Sequence, residues 1–487
     1  MAADGGILKV RGEFDIQVLD PGYMIGGTDT TLILACMPRL AVPVQGADGT
    51  WGWEPSACVE SLVQDDPTHI SFKLKPGLMW SNGQGEVTAD DVKFSFERML
   101  VSNWAPRSPT LYRVDVIDTH SGVIVLKSPF VATFLLALAA EPGAILPKAA
   151  TEALPDGKFA TEFPAQFDPY TMTEWLPKQR IVLKANPAWP GTAPVFSEVH
   201  LVNIEDTNAA ELAFQAGEVD VTSVRPETAA RFRSEMPEGT ALISHAGPLY
   251  SWIGLNAEHP TLADLRVRQA IQRAIDVPTI LQAAYGGAEI AHGIVPPGIV
   301  GNRNMSGYSY DPDAARALLA EAGVSDLKIT FKMLNEPYLL TAAQIVQANL
   351  ADVGITCDIA PVDSGVFWNL GVEAAGEDWR DLQMWMMRFR TAPDASDAVQ
   401  WFVKSQIGIW NWERWSDPEF EDLAVKMLSE ADPVTRADQI VRMQEIMENT
   451  GAYVWLTHDP VNFVHRATVV PAFDTGSEYM VERFAQA

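Results

Sequence analysis

Apolar and polar positions change rhythm repeatedly along this chain. Ser71-Phe72-Lys73-Leu74-Lys75 alternates with the period of a half-buried strand and stops at the turn pair Pro76-Gly77. Thr88 then reads as an N-cap before Ala89-Asp90-Asp91-Val92, with acids in the first turn and Arg98 near the end, as the helix dipole favours. Val92, Phe96 and Met99 fall on one face of that helix. Strand patterns recur at 7–10, 180–184, 198–204, 251–255 and 355–359. Helical patterns fill 207–215, closed by Gly217, and 264–275, opened by Asp264. Residues 311–321 form another, with Pro312 in the first turn and Gly323 past the end. Further helices are predicted at 341–350, 419–429 and 433–447. This alternation predicts an α/β chain of several lobes, not one barrel. It shows no internal repeat and no low-complexity linker.

Composition bounds the picture. A chain of 487 residues, 47% apolar and 20% charged, corresponds to roughly two to four compact units. It can bury a core without disulfide staples. The longest apolar candidate, 132–146, is broken by Glu141 and Pro142, too short to span a bilayer. No leader of basic, apolar and small residues precedes the strand pattern at 7–10. Met1-Ala2-Ala3-Asp4 has the look of an exported chain trimmed and restarted with Met. The balance of 63 acids against 35 Lys and Arg gives a net charge of −28. That argues against a nucleic-acid binder and against a polybasic membrane-surface protein. An acidic surplus serves solubility and does not by itself make the ligand a cation.

Candidate chemistry is sparse. Cys36, Cys58 and Cys357 form no CxxC pair. Cys36 with Cys58 is the more plausible disulfide by proximity in sequence; the alternative is three buried thiols. No nucleophile elbow, phosphate loop, HExxH helix or dinucleotide fingerprint occurs. The eight histidines are scattered, so no metal or other cofactor is called for. The tryptophans stand out instead. Seven of 15 (368, 379, 385, 401, 410, 412, 415) lie within 48 residues. Indole offers wide contact area and one donor, suited to a ligand cleft as well as to a core. If 410–412 is extended, Trp410 and Trp412 share a face. The run Trp385-Met386-Met387-Arg388-Phe389-Arg390-Thr391 is strand-like. Arg388 and Arg390 on one face suit a carboxylate, or pair with Asp394, Asp397 or other local acids.

Several stretches, in order, carry a resemblance. Leu19-Asp20-Pro21 follows the first strand. Phe72-Lys73-Leu74-Lys75-Pro76-Gly77, Trp80-Ser81-Asn82-Gly83 and Thr88-Ala89-Asp90-Asp91-Val92 come next. Asn186-Pro187-Ala188-Trp189, Ala216-Gly217-Glu218-Val219-Asp220 and Leu265-Arg266-Val267-Arg268-Gln269-Ala270-Ile271 follow. Pro296-Pro297, Tyr310-Asp311-Pro312 and Leu318-Leu319-Ala320-Glu321-Ala322-Gly323 complete the set. Each motif is weak alone, but the ordered set covers nearly the whole chain. It resembles the family 5 extracellular solute-binding proteins, the peptide, opine and nickel class that serves ABC importers.

The resemblance implies the two-lobed α/β periplasmic-binding-protein fold, cluster C type, with a hinge crossed twice and an extra subdomain. The first lobe would be about 1–33, 150–247 and 456–487, the subdomain 34–149, and the second lobe 248–455. It implies a monomeric, periplasmic, non-enzymatic protein that closes on a solute and delivers it to the permease subunits. The solute would be a short peptide or an amino-acid-derived, opine-like compound. An oligosaccharide stacked on tryptophan is the alternative within the family. A nickel chelate or haem is disfavoured by the missing His/Cys cluster. A hydrolase or a chaperone-like interaction protein are the rivals from other classes. Family peptide binders place an Asp after a Trp at the equivalent of 381–389, to receive the peptide's amino terminus. Here that register gives Phe389-Arg390-Thr391-Ala392, with the first acid at Asp394. Arg390 would favour an anionic group, unless Asp394 shifts inward to serve an amine. Tyr23 to Ile25, Trp368 and the segment Gly408 to Trp412 correspond to parts of the family that flank ligand. The candidate contacts are therefore Tyr23, Met24, Trp252, Asn256, Trp368, Trp385, Arg388, Phe389, Arg390, Thr391, Asp394, Gly408, Trp410 and Trp412.

Overall fold

A computed structural model describes residues 6–24, 27–46, 51–102, 111–127, 131–391, 394–430 and 432–487. The opening residues Met1 to Asp4, and Ile25, Ala392 and Pro393, lie outside that description. The chain separates into two units, 1–244 with 462–487, and 245–461. It passes from the first to the second inside the strand Thr240–Leu255 and returns inside Tyr453–Arg466.

In the first unit, Ile7–Gly12 lies parallel between Glu198–Asn203 and Val221–Ser223. Arg180–Ala185 and Tyr170–Leu176 extend this sheet antiparallel. A separate antiparallel sheet orders Val59–Asp66, His69–Leu74, Ser121–Leu126 and Leu111–Val116. The helix Ala89–Met99 starts as its sequence dictates. Thr88 accepts from the Asp91 backbone N–H, and the Asp91 carboxylate reaches back to the Thr88 N–H, a reciprocal cap. The cysteines do not pair. Cys36, Cys58 and Cys357 are free and buried, so they act as small apolar side chains.

In the second unit, the strand order is Thr356–Val362, Lys328–Leu334, Met384–Arg390, Thr240–Leu255 and Tyr453–Arg466. The first two are parallel, linked by the helix Pro337–Asp352. Met384–Arg390 runs antiparallel to Thr240–Leu255, with Met387 opposite Trp252. Asp-Pro pairs open three helices, at Pro312–Ala322, Pro418–Lys426 and Pro433–Asn449. The Asp accepts from orphan backbone N–H groups, while Pro occupies a position that needs no donor. Gly323 closes the first of these in the left-handed region, at φ 69°.

One core fills this unit. Trp252, Trp385, Trp412 and Trp455 are at most 1% exposed. Burying an indole contributes roughly 4–6 kcal/mol of transfer free energy before entropy is counted. Among the described residues, no helix is long and apolar enough to cross a membrane.

Candidate functional site

The tryptophan-rich segment serves two ends, and burial separates them. Trp385 and Trp412 pack ring to ring at 5.9 Å inside the core. The segment 406–412 is a series of turns, in which the Trp410 and Asn411 N–H groups both donate to the Gln406 carbonyl. The extended geometry expected for Trp410 and Trp412 is therefore absent. Trp412 turns in against Phe367, and half-buried Trp410 lies edge-on to Phe389. Gly408 takes φ 79°, with the Glu373 side chain where a Cβ would sit. No side chain fits that turn without strain.

Other candidates are also interior. Trp252 donates to Glu413 at 2.8 Å and stacks on Tyr250. Asn256 donates to the Leu382 carbonyl at 2.9 Å and accepts from the Glu258 N–H, which pins a loop. Thr391 is buried, its N–H given to the Pro248 carbonyl. Asp394 does not swing inward to await an amine. It caps the helix Ala395–Val399 and accepts from Arg436 Nη2 at 2.8 Å. Burial works against its ionised form, but the Arg436 charge and hydrogen bonds prevail and hold the pKa below the usual range. Arg390 is opposite Leu249 in register, with only its backbone described. In the first unit, Met24 is buried, and the Tyr23 ring lies under the Lys158 ammonium at 4.0 Å and the Arg98 guanidinium at 5.4 Å.

Two candidates meet in a pocket. Arg388 and Trp368 line a small, open pocket in the second unit, with Ser251, Tyr285, Tyr338, Phe367, Met386 and Met387. The strand Met384–Arg390 brings Arg388 there: its first four residues are buried and its polar end emerges at the rim. Arg388 donates through Nη1 to Tyr338 Oη at 2.9 Å. Its other neighbours are carboxylates, Glu336 at 3.5 Å and Asp459 at 3.9 Å. Ser251 donates to Asp459 at 2.5 Å. Burial pushes the Asp459 pKa up to about 6, against the pull of Ser251 and Arg388. Tyr285 stands edge-on to Tyr338 at 5.4 Å and closes one wall.

The acids Arg388 faces are thus not Asp394 or Asp397. Sequence reasoning missed Glu336, Tyr338, Ser251, Tyr285 and Asp459. The Glu336-Pro337 pair marks a strand-to-helix turn where polar groups gather, and was a usable signal. Asp459-Pro460 breaks the apolar run 453–464 and was another. The pocket offers aromatic walls and one guanidinium, whose neighbours are the Glu336 and Asp459 carboxylates. No serine or cysteine in it is paired with a histidine, the arrangement nucleophilic catalysis needs. Among the described residues, no cluster of three His, Cys, Asp or Glu could hold a metal.

Comparison with known proteins places the chain as a whole. The chain is 25% identical over 459 residues to a probable D,D-dipeptide-binding periplasmic protein of Escherichia coli K12, covering 91% of this chain and 86% of that one. It is 24% identical over 463 residues to the dipeptide-binding protein of the same organism, covering 89% and 86%. The ABC transporter substrate-binding protein CtaP of Listeria monocytogenes superposes with a TM-score of 0.83 at 20% identity, over 99% of both chains. The fold is the two-lobed α/β fold of periplasmic binding proteins. Residues 53–410 match the middle region of the bacterial extracellular solute-binding proteins, family 5, and the chain belongs to that family.

Proposed function

We propose that this protein is the periplasmic substrate-binding component of an ABC importer, taking a short peptide or amino-acid-derived, opine-like solute. It acts as a monomer, binds without turnover and presents the solute to the permease subunits. The observation that carries the reading is the pocket at Arg388. Aromatic and methionine side chains line it with one guanidinium, and the Glu336 and Asp459 carboxylates stand beside that guanidinium; such groups suit an amino-acid backbone's charges and side chain. Peptide-binding relatives aligned over about nine-tenths of the chain support it.

In this reading the first lobe comprises 1–33, 150–247 and 456–487, and the second 248–455. A subdomain at 34–149 is supported by the separate four-stranded sheet within it. An oligosaccharide fits less well, because Trp385 and Trp412, two of the tryptophans that would stack on it, are spent in the core.

The experiment is a thermal-shift screen with dipeptides, opines, oligosaccharides and amines, paired with mass spectrometry of what co-purifies. Ligand binding only to the folded state raises the melting temperature, by about 2.7 kcal/mol of stabilisation at 100 times Kd. A shift with peptides or opines and no product formation is expected. A shift with oligosaccharides alone, or conversion of a bound compound, would overturn the reading.

A further inference from the structure

The strand Tyr453–Arg466 carries a histidine that the pocket does not use. His458 is 6% exposed, and neither ring nitrogen has a hydrogen-bond partner among the described residues. Such an orphan is rare in a native interior, where buried polar groups are paired. Burial, with the neighbouring His292, pushes its pKa down to about 3. Along this part of the strand lies a segment of unusual length, residues 285–311, which forms neither helix nor strand. The Ala291 N–H donates to the Leu456 carbonyl at 2.9 Å, and Thr457 Oγ1 donates to the Glu289 carbonyl at 2.7 Å. Tyr308 Oη accepts from the Trp455 N–H at 2.9 Å. A proton arriving on His458 finds no counter-charge in place. It meets His292, whose Nδ1 lies 3.0 Å from Ser306 Oγ. Behind His292, Glu448 is already paired with Arg303 at 3.1 Å and takes the Gly307 N–H. Asp459, next in the strand, is committed to Ser251 and Arg388.

We propose that His458 is an acid-sensitive latch: neutral, it lets 285–311 lie on the strand, and protonated, it drives that segment off so that water can reach the ring. The imidazole of an open chain titrates near 6.5, and the folded form resists the proton. The latch is therefore fully closed above pH 6.5 and loosens as pH falls below it. Each pH unit below 6.5 raises the opening equilibrium about tenfold. Asp459 follows His458 and stands beside Arg388, so opening also loosens the groups around the pocket's guanidinium. Release of solute in acid is the consequence, and that step alone rests on the reading of the pocket as the solute site.

Amide hydrogen exchange of the ligand-free full chain tests the latch, corrected for the intrinsic pH dependence of exchange. The reporters are the Ala291 and Trp455 amides, which bridge segment and strand. From pH 7.5 to pH 5 their opening constant should rise about thirtyfold in the parent. Amides inside the helix Pro337–Asp352 should not follow. H458L removes the titrating ring and its orphan nitrogens, and should flatten the rise. H458Q keeps a polar side chain without a titrating group and should flatten it too, so the test survives if one variant folds poorly. A parent that changes less than about threefold would overturn the inference. So would variants that keep the full rise, or a rise shared equally by the whole unit, which marks general acid unfolding. No solute enters this experiment, so failure of the latch leaves the capture reading intact, and failure to find a ligand leaves the latch intact.

Discussion

Glu413 is a carboxylic acid buried away from solvent. One oxygen accepts from Trp252 Nε1, and Gly254 lets the group approach because a Cβ there would sit 2.4 Å from Oε1. Burial pushes its pKa up to about 8, from an ordinary 4.5. The folded form therefore holds a proton that the unfolded chain releases. This contribution to stability is complete below pH 4.5, falls as pH rises from there to about 8, and is lost above. At about 1.4 kcal/mol per unit, the change is a few kcal/mol. Glu413→Gln removes the proton but keeps the shape. Thermal melts across pH 5–8 should show the variant gaining on the parent as pH rises; parallel curves would show the acid to be ionised in the fold. None of this was legible in the sequence, where nothing beside Trp412 marks Glu413 as buried. Asp394 was misleading for a related reason. Its partner Arg436 is 42 residues away, and no local pattern connects them.

Elements were more legible than residues. Caps and stops are local chemistry, so Thr88, Asp264, Gly217 and Gly323 marked helix ends where the structure has them. The segment 406–412 was not legible. Its alternating Trp-Asn-Trp suggests a strand, but nothing offers it a partner strand, and turns satisfy its backbone groups instead. Trp412 is drawn inward because Gly371 leaves room for it: a Cβ on Gly371 would lie 2.2 Å from Trp412 Cγ. Gly371→Ala should therefore force the indole out of place and cost about 1–3 kcal/mol, the usual range for overpacking. Urea unfolding measures this. A change below about 0.5 kcal/mol would mean that Trp412 is not held there.

At the scale of the molecule, the two-unit division was not legible from periodicity. The crossing strands Thr240–Leu255 and Tyr453–Arg466 are long and largely buried, and neither alternates cleanly. Only the resemblance carried by the ordered motifs suggested a division into lobes. The net charge of −28 was legible from the start, and it has a physical consequence. Many of the 35 basic side chains are paired locally, for example Arg442 with Glu419 and Arg266 with Asp264. The remaining acids repel one another most in the compact state. Sodium chloride shortens the screening length from about 30 Å at 0.01 M to about 8 Å at 0.15 M. It weakens exposed ion pairs too, but these contribute little each, so relief of repulsion wins. The ligand-free protein should melt a few degrees higher in 0.3 M than in 0.02 M sodium chloride at pH 7. Near pH 4.6, where the sequence carries no net charge, the gain should vanish or reverse. Equal gains at both pH values would assign the effect to general salt stabilisation of buried surface instead of charge.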